Sequence, residues 1–245
     1  MNDSIQKMLA HASVRDFSDE KLSEEQVESL LLASQSGSTS HHVQAFSIID
    51  VTDPELRQAF GEISHCGPYV EGAAKFYVFV ADLYRMSTVL KAKGKDDSGL
   101  ANNEALTVAM VDTAIAAQNM ALASESMDLG ICYIGGIRND IAKSAELLKL
   151  PKYTVPLFGL CIGIPASRNG KKPRLPLTNQ VSENSYDQAI LTNVTGFDEE
   201  MRAYYASRGS NQKASDWSQQ MADYMDHELR PDFTDFLKAQ GFKLA

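Results

Sequence analysis

The sequence has too few cysteines, in the wrong arrangement, for a disulfide framework or a zinc site. Its three cysteines, Cys66, Cys132 and Cys161, are odd in number and show no Cys-x-x-Cys spacing. The opening Met-Asn-Asp-Ser-Ile-Gln-Lys contains no apolar stretch typical of a secretory signal, and no run approaches the ~18 apolar residues of a membrane-spanning helix. These absences predict buried, reduced thiols and a cytoplasmic protein.

The chain also lacks an excess of basic residues. Its 23 Lys and Arg against 32 Asp and Glu give a net charge of −9 and a pI near 5.0. This balance argues against a nucleic-acid partner, because binding to phosphates along a helix needs a broad basic face. With 245 residues, 44 % of them hydrophobic, the chain can bury the core of one large domain or two small ones.

Three short stretches are local exceptions to the acidic composition. His11-Ala12-Ser13-Val14-Arg15 offers a cation and a hydroxyl group within three residues, which are the donors that a phosphate monoester needs. Four cations fall within seven residues of a segment stiffened by prolines, namely Arg168, Lys171, Lys172 and Arg174. Arg202, Arg208 and Lys213 form a further cationic patch. For each stretch the alternative interpretation is a solvated surface loop or charged helix face.

Periodicity and capping signals predict a mixed helix and strand protein. Ser23-Glu24-Glu25-Gln26 has the form of a capping box, and residues 103–129 predict a long helix that must be buried, with Gly130 as its C-cap. Residues 65–69 predict a loop. Further helices are predicted over 3–10, 23–36, 53–64, 140–150, 198–207, 215–228 and 231–239, and strands over 45–51, 74–81, 131–136 and 155–163.

Two features suggest contact with a ligand. The hydroxyl-rich run from Ser36 to Gln44 could form a wall of donors, although a solvated loop is the alternative. The pair Gly135 and Gly136 would let the backbone approach a flat ligand without Cβ atoms in the way, although glycine pairs also mark turns.

Six motifs, taken in order, resemble the nitroreductase family, and most closely its group A branch of oxygen-insensitive NADPH nitroreductases and NADPH-flavin oxidoreductases. They are His-x-Ser-x-Arg at 11–15, the hydroxyl-rich run before Gln44, Tyr-Ile-Gly-Gly at 133–136, Leu-Phe-Gly-Leu-Cys-Ile-Gly at 157–163, Lys-Pro-Arg-Leu-Pro at 172–176 and Arg-Gly-Ser-Asn at 208–211. The resemblance implies an α+β fold with a central, mostly antiparallel sheet flanked by helices. It also implies one FMN-binding domain over 1–245 with a helical extension over about 197–245, and an intertwined homodimer with FMN at the interface.

The resemblance also implies roles for individual residues. His11, Ser13 and Arg15 would hold the FMN phosphate together with Arg174. Lys172 would lie at the N1 and C2 carbonyl edge of the flavin, where an ammonium group favours the reduced form. The other implied contacts are Tyr133, Ile134, Gly135 and Gly136 along the ring with a backbone N–H near N5, Ser38, Thr39 and Ser40 from the partner subunit, Ala12, Val14, Gly67 and Pro173 elsewhere around the cofactor, His42 in the substrate pocket, and Arg208 and Lys213 at the 2′-phosphate of NADPH.

The chain departs from the family pattern at four of these positions. Ala12 stands where Arg is common, which removes one cation, and Gly67 stands where a Gln side chain commonly contacts the flavin. His42 replaces an aromatic hydrocarbon ring, which changes the polarity of the substrate pocket. Lys213 replaces an Arg of the nucleotide site, so we expect a weaker preference for NADPH over NADH.

The implied activity is a ping-pong oxidoreduction, in which NADPH or NADH delivers hydride to flavin N5 and leaves before the acceptor binds. Nitroaromatics, quinones or flavins would be the acceptors, and no side chain or metal is assigned a catalytic role. One alternative is a flavin reductase that supplies free reduced FMN to a partner enzyme. Others are a flavin-binding protein without turnover, and a metal protein built on His41, His42, His65 and Cys66, whose spacing matches no ligand pattern.

Overall fold

The computed structural model describes residues 1–209 and 212–243. These residues form two compact units. The first comprises the described residues of Met1–Asn169 and Arg230–Ala245, and the second comprises those of Gly170–Leu229. Ser210 and Asn211, the last two residues of the Arg-Gly-Ser-Asn motif, lie outside the described residues, as do the last two residues of the predicted helical extension.

The first unit is built on a four-stranded antiparallel sheet, as predicted. The strands are β1 (Phe46–Asp50), β2 (Lys75–Asp82), β3 (Gly130–Ile134) and β4 (Thr154–Gly163), in the spatial order β1-β2-β4-β3. β2 is buried over six consecutive residues, which explains its near-continuous apolar sequence. β3 is an edge strand of this sheet and therefore has backbone groups available to another segment.

Helices cover both faces of the sheet. Tyr77 and Phe79 of β2 pack with Met120 on one face, whereas Phe76 and Val78 pack with Phe60 on the other. This alternation follows from the two-residue period of a strand. The helices of this unit are α1 (Asp3–Ala10), α2 (Glu24–Gln35), α3 (Pro54–Ser64), α4 (Gly67–Gly72), α5 (Tyr84–Ala92), α6 (Asn103–Ser126) and α7 (Ile141–Leu147), with α11 (Phe233–Ala239) near the end of the chain.

The long helix α6 is buried on one side only. Ala109, Ala116 and Met120 are inaccessible or nearly so, whereas Val111 is 50 % exposed. By length and by a mean hydropathy of 1.3 over 18 residues, α6 would also suit a membrane span, but 44 % of that window is buried inside the protein. Core helices of water-soluble proteins share these features, so the observation does not indicate a membrane.

The prediction that Gly130 caps α6 is wrong. The helix ends at Ser126, and Asp128 takes the left-handed conformation with φ of 61°. Gly130 instead begins β3, where an added Cβ would lie 2.7 Å from the side chain of Val14. Glycine is therefore required here by close packing rather than by a helix terminus.

Two other local predictions need correction. Residues 65–69 do not form a simple loop, because α4 begins at Gly67 with Pro68 in its first turn, a position where the missing N–H costs nothing. Gly135 and Gly136 do not end the strand, since β3 stops at Ile134 and the pair opens a 3-10 helix, Gly135–Asp140. The capping box is confirmed, with Ser23 and Gln26 bonded reciprocally.

The second unit contains α8 (Gln188–Leu191), α9 (Thr195–Ala206) and α10 (Trp217–Met225). Phe197, Met201 and Tyr205 recur every four residues along α9 and form one buried stripe. Trp217 packs edge-on against Phe197, with ring centroids 5.7 Å apart. The unit therefore has a small core of its own.

Candidate functional site

The segment His11–Arg15 is held against the open edge of β3. The Val14 N–H donates to the Ile131 carbonyl at 2.9 Å, and the Asn169 side-chain amide donates to the Ser13 carbonyl at 2.9 Å. These bonds fix the backbone of a segment that otherwise lacks regular structure. The structure thus brings the predicted phosphate-binding residues to the same edge of the sheet as the predicted ring contacts of Tyr133–Gly136.

His11 is oriented by a carboxylate that the sequence did not reveal. Its Nδ1 lies 2.6 Å from Glu125 Oε1, and the two side chains are only 29 % and 13 % exposed. Burial raises the pKa of the nearby Tyr133 phenol to about 12, and the Glu125 charge adds to this shift. Because Nδ1 is bound to Glu125, Nε2 is the ring nitrogen that remains for a ligand.

Arg15 has the properties of an anion-binding side chain. It is exposed, and among residues 1–209 and 212–243 no carboxylate lies within ion-pair distance of it. It lies near the Cys132 thiol, whose pKa is raised by burial and only partly lowered by Arg15. A protonated thiol does not neutralise the guanidinium, so the positive charge remains available.

The two glycines after β3 have different surroundings. An added Cβ at Gly136 would lie 2.5 Å from the Ser64 carbonyl oxygen of α3, so that glycine is required by internal packing. An added Cβ at Gly135 would meet nothing closer than the Arg138 guanidinium at 3.5 Å, an ordinary contact distance. Of the pair, Gly135 is the one whose backbone is open to a flat ligand.

Gly67 and Ala12 leave the site without two side chains that the family pattern contains. Gly67 begins α4 and packs against Gly61 of α3, where an added Cβ at Gly61 would lie 2.8 Å from the Gly67 Cα. Ala12 is half-buried between His11 and Ser13. Neither position can donate a side-chain hydrogen bond.

The hydroxyl-rich run is anchored to α6 by one buried carboxylate. Asp112, 1 % exposed, accepts from the Ser40 N–H at 3.0 Å and from the Ala45 N–H at 3.1 Å. His41, His42 and Gln44 have positive φ angles of 49°, 59° and 53°, so the loop between these anchors is strained. Ser38, Thr39 and Ser40 line a groove of about 380 Å³ against α6, and His42 is exposed.

Within the first unit, the structure does not bring this run to the His11–Arg15 segment. Their anchors, Asp112 and Glu125, are thirteen residues apart on α6. At 1.5 Å and 100° per residue, that spacing corresponds to about 20 Å along the helix and to clearly different sides of it. The anchors of the two sets of predicted flavin contacts are therefore far apart and on different sides of α6 within one copy of the chain.

Three predicted cations meet in the second unit. The Nζ atoms of Lys172 and Lys213 each lie 5.6 Å from the Tyr205 ring centroid, and Arg208 Cζ lies 6.0 Å from it. Arg174 is exposed, and the half-buried Pro173 separates it from Lys172. The predicted flavin-edge lysine and the predicted nucleotide-phosphate cations thus share one aromatic ring.

A separate groove of about 860 Å³ runs along the outer side of α2 and includes Leu31, Leu32 and Lys75, none of which is a predicted site residue. In the part of the chain that the structure describes, no three His, Cys, Asp or Glu residues cluster so as to hold a metal ion.

Three important residues escaped the sequence analysis although each had a signal. Asp112 is a carboxylate in the apolar middle of α6, and Glu125 is an acid in its last turn, where the helix dipole disfavours negative charge. Tyr205 continues the four-residue spacing of Phe197 and Met201. The signals mark unusual positions, but they do not identify the partners.

The sheet, the long helix and the cation-lined edge strand define a nitroreductase fold, and the chain belongs to the nitroreductase family. The model of that family matches residues 8–164, and the model of its C-terminal domain matches residues 172–245. The chain is 42 % identical to the FMN reductase (NADPH) of Bacillus subtilis and 40 % identical to the oxygen-insensitive NADPH nitroreductase of Salmonella typhimurium, each over 99 % of both chains. It is similar to the structure of an NADPH:FMN oxidoreductase from Vibrio harveyi complexed with NAD+, with a TM-score of 0.88 and 37 % identity over 98 % of this chain and 99 % of the other.

Proposed function

We propose that the chain is an FMN-dependent oxidoreductase that takes electrons from NADPH, with NADH as a second donor, and reduces nitroaromatics, quinones or flavins. The observation that carries the proposal is the edge of β3, where the exposed Arg15 lies near Cys132 of the strand and the strand leads into the open backbone at Gly135. The names of relatives that are 40 % and 42 % identical over the whole chain support the same activity.

The residues along β3 fit the two chemically distinct parts of FMN. Arg15 supplies a charge and Ser13 a hydroxyl donor for the phosphate, the His11 ring held by Glu125 adds an Nε2–H donor in its protonated form, and the backbone from Tyr133 to Gly135 supplies a surface for the ring. The family pattern also assigns Lys172 to the flavin edge, Arg174 to the phosphate, and Arg208 and Lys213 to the 2′-phosphate of NADPH. When bound, FMN supplies the two-electron chemistry that no side chain here can perform.

We also propose that two copies of the chain form the working enzyme. Because Ser38–Ser40 and His11–Arg15 are anchored far apart on different sides of α6 within one copy, the hydroxyl-rich run would contact the flavin held by the partner. Apolar side chains without cover in one copy support this arrangement, among them Met8 and Leu9 of α1 and Val111 of α6, each 50 % exposed. Light scattering after size exclusion should give twice the 26.9 kDa of one chain.

A location in the cytoplasm fits the cysteines. The described structure contains three free thiols, of which Cys132 and Cys161 are buried. Free thiols persist in a reducing compartment.

The first experiment is the visible spectrum of the purified protein before and after anaerobic addition of NADPH. We expect flavin absorption bands that bleach on addition. A colourless protein that also fails to take up added FMN would overturn the proposal. Flavin bands that NADPH cannot bleach would instead indicate a flavin-binding protein without redox turnover.

Initial rates then separate the two enzymatic candidates. The name of one relative, FMN reductase (NADPH), supports free flavin as the acceptor of this chain. The name of another, oxygen-insensitive NADPH nitroreductase, supports nitro compounds. Fast turnover with FMN and slow turnover with nitroaromatics would identify a flavin reductase. Parallel lines in two-substrate plots support alternating occupancy of one site by donor and acceptor, whereas intersecting lines contradict it.

A further inference from the structure

Tyr205 lies at the centre of three cations of the second unit. It is only 3 % exposed, and its ring is within about 6 Å of Lys172, Arg208 and Lys213, the range of a cation–π interaction. Three like charges repel one another in the absence of a counter-charge. The negative face of the ring offsets part of the electrostatic repulsion among the three cations and attracts all three side chains.

The hydroxyl group of Tyr205 adds a polar connection between two of these cations. The ammonium group of Lys172 and the side-chain amide of Gln220 lie close enough to this hydroxyl group to influence its ionisation. Gln220 Oε1 in turn accepts from Lys213 Nζ at 2.8 Å. Burial alone would raise the pKa of the Tyr205 phenol, but the donors and charges around it outweigh burial and lower that pKa. Lys172 and Gln220 therefore flank the Tyr205 hydroxyl group, and Gln220 also binds Lys213.

The helices on either side of the segment that carries Arg208 and Lys213 are held together by contacts that do not involve the Tyr205 ring. Asp198 accepts from the Ser218 N–H at 2.8 Å and from its hydroxyl group at 2.6 Å. Arg202 Nε pairs with Asp216 at 3.2 Å. These contacts tie α9 to α10, so the side chains around Tyr205 are presented by a defined frame.

We propose that Tyr205 is a positioning residue that holds Lys213 at the spacing needed for the 2′-phosphate of the electron donor and couples it, through Gln220, to Lys172. The inference rests on the proposed function, because that function assigns Lys213 to the nucleotide and Lys172 to the flavin. Tyr205 would contact neither the nucleotide nor the flavin, but it would help to determine the preference for NADPH over NADH. The hydroxyl group is the part that matters, because it completes the path between the two lysines.

The test compares the FMN-loaded wild type with Tyr205→Phe, which keeps the ring and its packing. Tyr204→Phe is the matched control, since it deletes the same atom one residue away, outside the path through Gln220. The probes are adenosine 2′,5′-bisphosphate and 5′-AMP, which differ only in the 2′-phosphate. Calorimetry measures both dissociation constants, and Trp217, the one tryptophan of the chain, reports binding near this cluster by fluorescence.

We expect the wild type to bind the bisphosphate more tightly than AMP. In Tyr205→Phe this ratio of affinities should fall by about threefold to tenfold, the size of one lost polar contact, while AMP binding stays unchanged. The KM for NADPH should rise by the same factor with little change for NADH. Tyr204→Phe should retain the wild-type ratio, and Gln220→Met, which breaks the path beyond the ring, should reproduce the loss.

Three results would contradict the inference, and each points to a different step. An unchanged ratio in a folded Tyr205→Phe protein would overturn the role of Tyr205 while leaving the proposed function intact. A wild type that does not distinguish the two probes would remove Lys213 from the 2′-phosphate site, and the inference with it. A wild type that neither contains FMN nor takes up added FMN would refute the proposed function itself.

Discussion

Replacing each glycine of the pair after β3 by alanine should separate folding from cofactor binding. In Gly136→Ala the new methyl group would lie 2.5 Å from a backbone oxygen and 2.9 Å from the Cα of Ser64, neither of which can rotate away. Forced overpacking of this kind costs about 1–3 kcal/mol of unfolding free energy. In Gly135→Ala the nearest atom is 3.5 Å away, so the loss of unfolded-state entropy should leave stability unchanged or raise it by up to about 1 kcal/mol.

The prediction for FMN is the reverse. Gly136→Ala should bind FMN with nearly normal affinity once folded, whereas Gly135→Ala places a methyl group where the ring must approach. A displacement that costs 1.4 kcal/mol raises the dissociation constant by about tenfold. Urea unfolding of the apoprotein gives the stabilities, and quenching of FMN fluorescence gives the affinities. Equal destabilisation by both variants, or normal FMN affinity in Gly135→Ala, would refute the assignment of the open backbone to the flavin.

Four further predictions test other contacts. Arg174→Ala should weaken FMN binding by about 1.5–3 kcal/mol through loss of a charge-assisted contact, while Lys171→Ala in the same segment should not. Equal FMN affinities of the two variants would show that Arg174 does not contact the cofactor. Lys213→Ala should raise the KM for NADPH far more than that for NADH, and equal effects would exclude contact with the 2′-phosphate. Tyr77→Phe should raise the unfolding free energy by about 1 kcal/mol, because the buried Tyr77 hydroxyl has no partner among the described residues; no gain would mean that a partner exists. The pKa of the Tyr133 phenol is about 12 in the folded protein, against a value near 10 in the unfolded chain. The protonated phenol therefore stabilises the fold fully below pH 10, and this stabilisation is lost as the pH rises from 10 to 12. Tyr133→Phe should flatten this loss of unfolding free energy in urea titrations.

The elements of the first unit were predictable because their signals are local. The capping box at Ser23 and the apolar run of β2 each contain within a few residues the information that defines them. The helix α4 was missed because six residues give too short a pattern, and its Pro68 is equally typical of a loop. Gly130 was misassigned because the reason for glycine there is the side chain of Val14, more than a hundred residues away.

The candidate site shows the same limit more strongly. The motifs predicted which residues contact the cofactor, but not what holds those residues in place, since Glu125 and Asp112 act through contacts across 114 and 72 positions of sequence. The resemblance treated Gly135 and Gly136 as one feature, and only the three-dimensional packing separates them. Long-range pairing of this kind leaves no periodic trace in one sequence.

The placement of Asp112 and Glu125 on different sides of α6 has a genetic consequence. If each flavin takes its phosphate ligands from one chain and its hydroxyl-rich wall from the other, a defect in either half damages both sites of a homodimer. In a mixed dimer of one chain carrying Arg15→Ala and one carrying substitutions at Ser38–Ser40, both defects fall in the same site and the second site is built entirely from intact halves. Two inactive proteins refolded together should therefore regain activity, up to half of the wild-type sites per mixed dimer.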